Sequence, residues 1–123
     1  MKLRIKGNSI RLRLLRSEVE QFAADGRISD ETSFGTTVLR YTLAMSKDAE
    51  SIVGQFENNE IVVFIPEQAA KEWTTSDNVG FEIEQLAGAN GTLTITIEKD
   101  FVCVDRPNDP DREDAYPNPN VTC

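Results

Sequence analysis

Six lysines and arginines near the start of the chain have the clearest chemical use. They are six of the thirteen basic residues, all before position 17, with no acidic residue among them. Cationic side chains neutralise phosphates, and neighbouring Asn and Ser side chains donate hydrogen bonds to a nucleic-acid backbone or to base edges. The candidate nucleic-acid-binding residues are Lys2, Arg4, Lys6, Asn8, Ser9, Arg11, Arg13 and Arg16. A solvated outer face of a half-buried hairpin explains the same arginines equally well.

The rest of the chain is acidic, and this uneven distribution bears on the partner. Residues 1–48 carry nine basic and six acidic residues, residues 49–99 carry two and nine, and residues 100–123 carry two and six. The acidic part would repel DNA but would engage a basic protein partner. The N-terminal arginines would then pair with acids of their own fold or of a second copy. A protein-interaction module is therefore the preferred hypothesis, and DNA binding is the alternative.

The sequence lacks the residue sets from which common catalytic sites are built. It has no histidine, two cysteines and no glycine-rich phosphate loop, so it offers neither a triad base nor a thiolate–imidazole zinc site. We therefore expect a protein that is not an enzyme and binds no cofactor. No apolar run reaches the roughly 20 residues of a membrane helix, and no apolar signal segment follows the basic N-terminus. A cytoplasmic location without a membrane partner is expected.

Residues 100–123, the tail, differ from the rest in composition. They contain four of the five prolines and six acidic residues, which predicts an extended acidic segment. Its carboxylates are candidate Ca²⁺ or Mg²⁺ ligands, although a solvated acidic run is the simpler interpretation because the spacing fits no calcium loop. The candidate metal ligands are Asp105, Asp109, Asp111, Glu113 and Asp114. Cys103 and Cys123 are a candidate disulfide or a pair of thiols, since a reducing cytosol disfavours the bond.

Patterns of apolar residues predict the elements that position these side chains. The predicted strands are residues 2–6, 10–14, 28–33, 37–45, 52–56, 61–65, 79–86 and 92–99. A capping box of Ser17 and Glu20 predicts one helix, ending near Gly26. Pro66 predicts the start of a second helix, which ends near Trp73.

The same order of elements occurs twice, at a shift of 51 residues. The shift aligns the apolar positions of the strand–helix part without a gap, pairing Phe22 with Trp73 and Ile28 with Val79. It predicts a duplicated unit in one chain.

This duplication defines the expected domain organisation. Residues 1–99 are predicted to form a single domain of two repeats, 1–48 and 49–99. Strand 61–65 is apolar throughout, which predicts burial on both faces. We therefore expect the tail to pack over the second repeat.

The segment Gly7-Asn8-Ser9-Ile10-Arg11-Leu12-Arg13-Leu14, followed by a short helix, resembles the swapped-hairpin domain of the AbrB and MazE families. In the second repeat, Phe64-Ile65-Pro66-Glu67 before a helix matches the apolar-Pro step of that signature. The resemblance covers residues 1–45 and 51–99. It implies an α+β, strand-rich fold, in which a tandem strand-helix-strand-strand repeat forms a pseudo-dimer barrel with two short helices and an extended C-terminal tail. The whole chain also resembles an uncharacterised family of small bacterial proteins.

The resemblance also implies a role, because AbrB and MazE relatives act as dimeric, often DNA-binding, transition-state regulators or antitoxins. Two copies in one chain imply a monomer (a pseudo-dimer) or a weak homodimer. The chain departs from the signature at Leu15, where the first copy should have Pro. At the positions that the 51-residue shift aligns with Lys6, Arg11 and Arg13, the second copy has Glu57, Val62 and Phe64. We therefore expect an antitoxin-like or regulatory protein-interaction module, with a DNA-binding transcriptional regulator as the alternative.

Overall fold

Strands and two helices run through residues 1–100, the part of the chain that the computed structural model describes. The first half contains β1 (Lys2–Lys6), β2 (Ser9–Leu14), α1 (Arg16–Asp25), β3 (Arg27–Ser33) and β4 (Val38–Ser46). The second half contains β5 (Val53–Glu57), β6 (Glu60–Pro66), α2 (Glu67–Thr75), β7 (Gly80–Leu86) and β8 (Thr92–Lys99). β1, β2 and α1 begin at residues 2, 9 and 16, and β5, β6 and α2 begin at residues 53, 60 and 67, each 51 positions later. The fold is α+β and strand-rich.

Each of the two four-stranded sheets takes one hairpin from each repeat. The strand order is β1-β2-β8-β7 in sheet 1 and β3-β4-β6-β5 in sheet 2. β2 runs parallel to β8, and β4 runs parallel to β6, whereas each hairpin is antiparallel. The N-terminal hairpin of each repeat therefore lies beside the C-terminal hairpin of the other, so neither repeat completes a sheet alone.

The turn between β1 and β2 and the equivalent turn between β5 and β6 differ in residues and in backbone geometry, since one residue of the first and both residues of the second adopt positive φ. Gly7 adopts a φ of 54° before β2, and Asn58 and Asn59 adopt φ values of 53° and 62° before β6. Asn is the non-glycine residue that enters this left-handed region most readily. Beyond each turn, the carbonyl of Asn8 accepts a hydrogen bond from the Thr94 N–H at 3.1 Å, and that of Asn59 accepts one from the Arg40 N–H at 3.0 Å. Each turn is thereby tied to a strand of the other repeat.

The inner faces of both sheets and one face of each helix share a hydrophobic cluster. Its fully buried residues are Leu12, Leu14, Phe22, Leu43, Val63, Ile65, Ala70, Trp73, Ile95 and Ile97. Phe22 of α1 and Trp73 of α2 meet edge to face, with ring centroids 6.2 Å apart. The Trp73 indole Nε1 also donates to the carbonyl of Val79 at 3.1 Å, which satisfies its one polar group. The equivalent aromatic residues of the two repeats therefore contact each other in the centre of the core.

No closed barrel forms within residues 1–100, which corrects the expected barrel. At one edge of the sheets, a side chain bridges β7 and β5 where backbone pairing would be needed for closure. The Gln85 side chain donates through Nε2 to the carbonyl of Gly54 at 2.9 Å and accepts from the Gly54 N–H at 2.7 Å. The inserted amide keeps the two edge strands apart while satisfying both backbone groups.

At the opposite edge, groups around Met1 bridge β1 and sheet 2. The Met1 ammonium contacts the carboxylate of Glu18 and lies 3.1 Å from that of Asp30, while the Tyr41 hydroxyl donates to the Met1 carbonyl at 3.1 Å. Burial alone would lower the pKa of the Met1 ammonium, but the two carboxylates outweigh it and raise this pKa. Burial, together with the same two carboxylates, raises the pKa of the Tyr41 hydroxyl.

Helix α1 begins earlier than the predicted capping box. Its N-cap is Leu15, whose N–H donates to the Glu18 carboxylate at 2.8 Å and whose carbonyl accepts the Glu18 N–H at 3.0 Å. Ser17 and Glu20 lie inside the helix, so the predicted box is wrong. The predicted end is confirmed, because Gly26 adopts a φ of 72° as the C-cap.

The predicted pairing of Ile28 with Val79 is also wrong. Ile28 lies opposite Leu43, and its equivalent Phe81 lies opposite Ile97 and packs 6.2 Å from the Trp73 ring. Val79 is 51% exposed. The longer connection between α2 and β7 moves the core position two residues along the chain.

Strand β6 is buried fully on one side only. Val63 and Ile65 are buried between the sheets, whereas Val62 and Phe64 are half-buried on the outer side. Apart from Asp100, the tail that we expect to cover β6 lies outside the described residues. None of the helices in residues 1–100 is long and apolar enough to cross a membrane.

Candidate interaction face

The register of β1 and β2 brings five of the predicted basic residues to one surface. Lys2 lies opposite Arg13, and Arg4 lies opposite Arg11. Side chains alternate across a strand, so these four and Lys6 point away from the buried Leu12 and Leu14. We call Lys2, Arg4, Lys6, Arg11 and Arg13 the basic face of sheet 1.

Two acids from the other end of the sequence offset the repulsion within the basic face. Arg13 donates through Nε to Oε1 of Glu98 at 2.6 Å, and Nε of Arg11 lies 3.8 Å from the same oxygen. Nζ of Lys2 lies 3.0 Å from Oδ2 of Asp100. The Arg13 and Glu98 side chains are only 19% and 20% exposed, so solvent screens this pair less than a fully exposed one. Like charges on opposed strands destabilise a sheet, and Glu98 counters that effect where four of the cations face one another.

Beyond the basic face, the outer side of sheet 1 becomes neutral and then acidic. Thr94 and Thr96 of β8 lie next to β2, and Thr96 is buried. Glu84 and Glu82 of β7 lie opposite these threonines and are exposed. We call Glu82 and Glu84 the acidic edge. The charge therefore changes sign across three strand spacings, a distance of about 14 Å.

The other three predicted nucleic-acid-binding residues add no cation to the basic face, although Ser9 lies on the same side of β2 as Arg11 and Arg13. The Asn8 amide donates to the carbonyl of Thr92, and the Ser9 hydroxyl donates to the carbonyl of Lys6 at 2.7 Å. Both side chains therefore stabilise the turn region. Arg16 begins α1 and lines a separate cleft.

That cleft, of about 600 Å³, lies between α1, the end of α2 and the end of β8. Charges of both signs line it: Arg16 and Lys99 against Glu20, Asp77 and Asp100. Its polar groups hold the end of α2 in place.

The hydroxyls of Thr74 and Thr75 donate to the carbonyl of Lys71 at 3.2 and 2.7 Å. The Lys99 ammonium donates to the carbonyl of Ser76 at 2.7 Å and lies 5.8 Å from the Trp73 ring. These contacts are typical of helix capping and cation–π packing, and they explain the cleft as a structural feature.

The equivalent surface on sheet 2 has no basic row. Val62 and Phe64 stand where sheet 1 has Arg11 and Arg13, as the sequence comparison indicated. Glu60 accepts a hydrogen bond from the Thr42 hydroxyl at 2.6 Å and lies 3.5 Å from Arg27. Within residues 1–100, the basic face is therefore present on sheet 1 and is not repeated on sheet 2 by the pseudo-symmetry.

The remaining candidates lie outside the described residues. They are the predicted metal ligands Asp105, Asp109, Asp111, Glu113 and Asp114 and the cysteines Cys103 and Cys123. Within residues 1–100, no group of three or more acidic or cysteine side chains is placed to hold a metal ion.

Sequence reasoning missed the acids that complete this surface. Glu98 belongs to an alternating strand, Thr92–Lys99, whose outward side chains are visible in the sequence. What the apolar pattern alone did not indicate is that β8 pairs with β2, which lies more than eighty residues away. Without that pairing, Glu82, Glu84 and Glu98 are only part of an acidic half of the chain.

Comparison with known proteins gives this chain a family. A family model matches residues 1–120. The chain belongs to the DUF7009 family, a family of unknown function. The predicted membership of an uncharacterised family is confirmed. No curated protein and no solved structure matches this DUF7009 chain.

Proposed function

We propose that this DUF7009 chain is a non-enzymatic, regulatory protein-interaction module that docks an extended polypeptide on the outer side of sheet 1. The observation that supports this best is the division of one sheet surface into a basic face, an acidic edge, and Thr94 and Thr96 of β8 between them. A polypeptide can present acidic and basic residues in matching positions. Complementary charges of this kind give specificity and fast association more than raw affinity.

Duplex DNA fits the same surface less well. DNA carries a negative charge about every 1.7 Å of its axis and no positive charge to face the acidic edge. Glu82 and Glu84 lie two strand spacings, about 10 Å, from β2. Glu98 also occupies the Arg13 guanidinium. DNA binding through the basic face is the second candidate, supported by its five cations.

The finer likeness of the fold to the AbrB and MazE swapped hairpin is part of this proposal. The exchange of hairpins between repeats supports it, because a dimer of single repeats with exchanged hairpins would become such a chain by fusion. An antitoxin-like activity follows from the same likeness. It would place the partner protein on the divided surface of sheet 1.

Fluorescence anisotropy with two probes tests the docking role. The probes are a labelled peptide of alternating Glu and Ser residues and a labelled mixed-sequence DNA duplex, both at low ionic strength. The protein is the full chain with the five tail acids at 105, 109, 111, 113 and 114 changed to their amides, so that its own acids do not compete. We call this protein the neutral-tail variant. We expect the peptide to bind and to be released as salt is raised.

Matched charge reversals locate the binding. Arg4→Glu with Lys6→Glu should weaken peptide binding by a factor of ten or more, on the order of 1.4 kcal/mol. Lys47→Glu with Lys71→Glu makes the same change in net charge at exposed positions away from sheet 1 and should leave binding unchanged. Tight DNA binding that Arg11→Glu with Arg13→Glu removes would favour the alternative. Binding of neither probe would contradict both functions.

A further inference from the structure

The described part of the chain ends at the basic face. The Asp100 N–H donates to the carbonyl of Leu14 at 2.8 Å, which continues the pairing of β8 with β2 by one residue. The Asp100 carboxylate turns to Lys2, at 3.0 Å from its Nζ. Lys2 is the first residue of β1, and Arg4 and Lys6 follow on the same side of that strand. Asp100, the last described residue, therefore lies beside one end of the basic face.

The tail has the charge and the length to cover this face. Five acids fall between positions 105 and 114, and residues 100–123 contain six acids and two arginines. Lys2, Arg4 and Lys6 span four residue rises, about 13 Å. An extended chain advances up to about 3.5 Å per residue, so the five residues that follow Asp100 already reach that far. The acids at 105 and beyond can therefore meet each cation of the face.

Two other surfaces of the described residues match an acidic segment less well. The outer side of β6, where the sequence predicted the tail, has Glu57 and Glu60 beside its apolar residues. The cleft that Asp100 borders presents Glu20 and Asp77 as well as Arg16 and Lys99. The basic face has five cations on two adjacent strands, and within the described residues no other surface matches an acidic segment as well.

We propose that residues 105–114 of the chain's own tail occupy the basic face of sheet 1 and act as a built-in competitor. As a consequence, the tail would exclude a weak acidic partner from the basic face. This consequence rests on the proposed docking function, whereas the position of the tail does not. A tethered segment acts at an effective concentration of about 1 mM. If the tail binds its face with a dissociation constant of about 0.1 mM, it weakens an external acidic ligand about tenfold. A physiological partner must therefore bind the basic face tightly enough to displace the tethered tail, or bind after the tail has been displaced.

Paramagnetic relaxation enhancement in the full chain tests the position of the tail. A nitroxide is attached at Ala115→Cys, next to the acids, in a chain that also has Cys103→Ser and Cys123→Ser. We expect selective broadening of amide signals in β1 and β2. Salt at about 1 M, where the Debye length falls to about 3 Å, should relieve the broadening. Arg4→Glu with Lys6→Glu should abolish it, and Lys47→Glu with Lys71→Glu should not.

The outcomes separate this inference from the proposed function. Broadening centred on β5 and β6, on the cleft, or nowhere would overturn the tail position, whatever the probe peptide does. If the tail lies on the basic face, the glutamate–serine peptide should bind the neutral-tail variant about tenfold more tightly than the natural chain. Equal binding to both proteins would overturn the competition. Broadening on β1 and β2 without peptide binding to the neutral-tail variant would support the tail position and reject external docking.

Discussion

The outer sides of the two sheets are built by equivalent strands, yet they present different chemistry. Sheet 1 has Arg11 and Arg13 on its second strand, and sheet 2 has Val62 and Phe64 at the equivalent positions. Both sheets keep a buried threonine on a central strand, Thr96 or Thr42, that lies within hydrogen-bonding distance of a glutamate. The shared threonine belongs to the common framework, whereas the residues beside it set the charge of each surface.

The inner faces of the two sheets and the helices that pack on them, in contrast, present similar residues at equivalent positions. Phe22 and Trp73 occupy equivalent places, are both fully buried and contact each other. Core positions must stay apolar and fit closely against their neighbours, because interiors are close-packed and cavities are costly. Outer positions have no such constraint, which explains why the two repeats can carry different residues there. We therefore expect symmetric effects from changes in the core and asymmetric effects from changes at the surface.

The largest effects should come from the aromatic pair. Trp73→Ala and Phe22→Ala should each lower the free energy of unfolding by about 3–5 kcal/mol, since each leaves a cavity in the shared core. Urea unfolding followed by far-ultraviolet circular dichroism measures both. Phe34→Ala is the control, because Phe34 is 70% exposed and should change stability by less than about 0.5 kcal/mol. A small effect of either buried residue would mean that the repeats do not share one core.

A smaller loss of stability should distinguish substitutions at the first residues of β7 and β3, which are Gly80 and Arg27. A methyl group on Gly80 would lie 1.9 Å from the carbonyl oxygen of Ile97, so Gly80→Ala requires the backbone to move. Such overpacking costs about 1–3 kcal/mol, and we expect the upper end. Arg27 begins β3 with an exposed side chain, and Arg27→Ala should cost at most about 1 kcal/mol. Equal melting temperatures for the two variants would contradict this difference between the repeats.

The smallest of the three effects concerns the bridge between the sheets. Gln85→Ala removes the amide that pairs with both backbone groups of Gly54, a buried residue. The expected loss of stability is about 1–2 kcal/mol, because the two groups lose their partner. Amide hydrogen exchange should also become faster at Gly54 in β5. The control is Gln55→Ala, at an exposed neighbouring position, which should change neither the stability nor the exchange rate of Gly54. An unchanged Gly54 exchange rate in Gln85→Ala would show that the bridge is unimportant.

Local patterns predicted most of the elements but not how they pair. Alternation located the strands to within two residues, because a strand's burial pattern is a property of its own sequence. The parallel pairing of β2 with β8 depends on exchange between repeats, for which the segments contain no local signal. The residue type of Ser17 favours it as a cap, but the Glu18 carboxylate reaches the Leu15 N–H and the helix starts earlier. Six of the eight nucleic-acid-binding candidates, the five cations and Ser9, share a surface because alternation places them there. Glu98 was missed because only the tertiary pairing brings it to Arg13.

The most direct test of the divided surface is to map a bound ligand on it. Amide chemical-shift changes in the neutral-tail variant, titrated with the glutamate–serine peptide, report which strands contact the probe. The account predicts that the largest changes fall on β1 and β2, extend to β8 and disappear in the Arg4→Glu, Lys6→Glu background. Changes centred on β5 and β6 or on the cleft between the helices would contradict the assignment of sheet 1 as the docking surface.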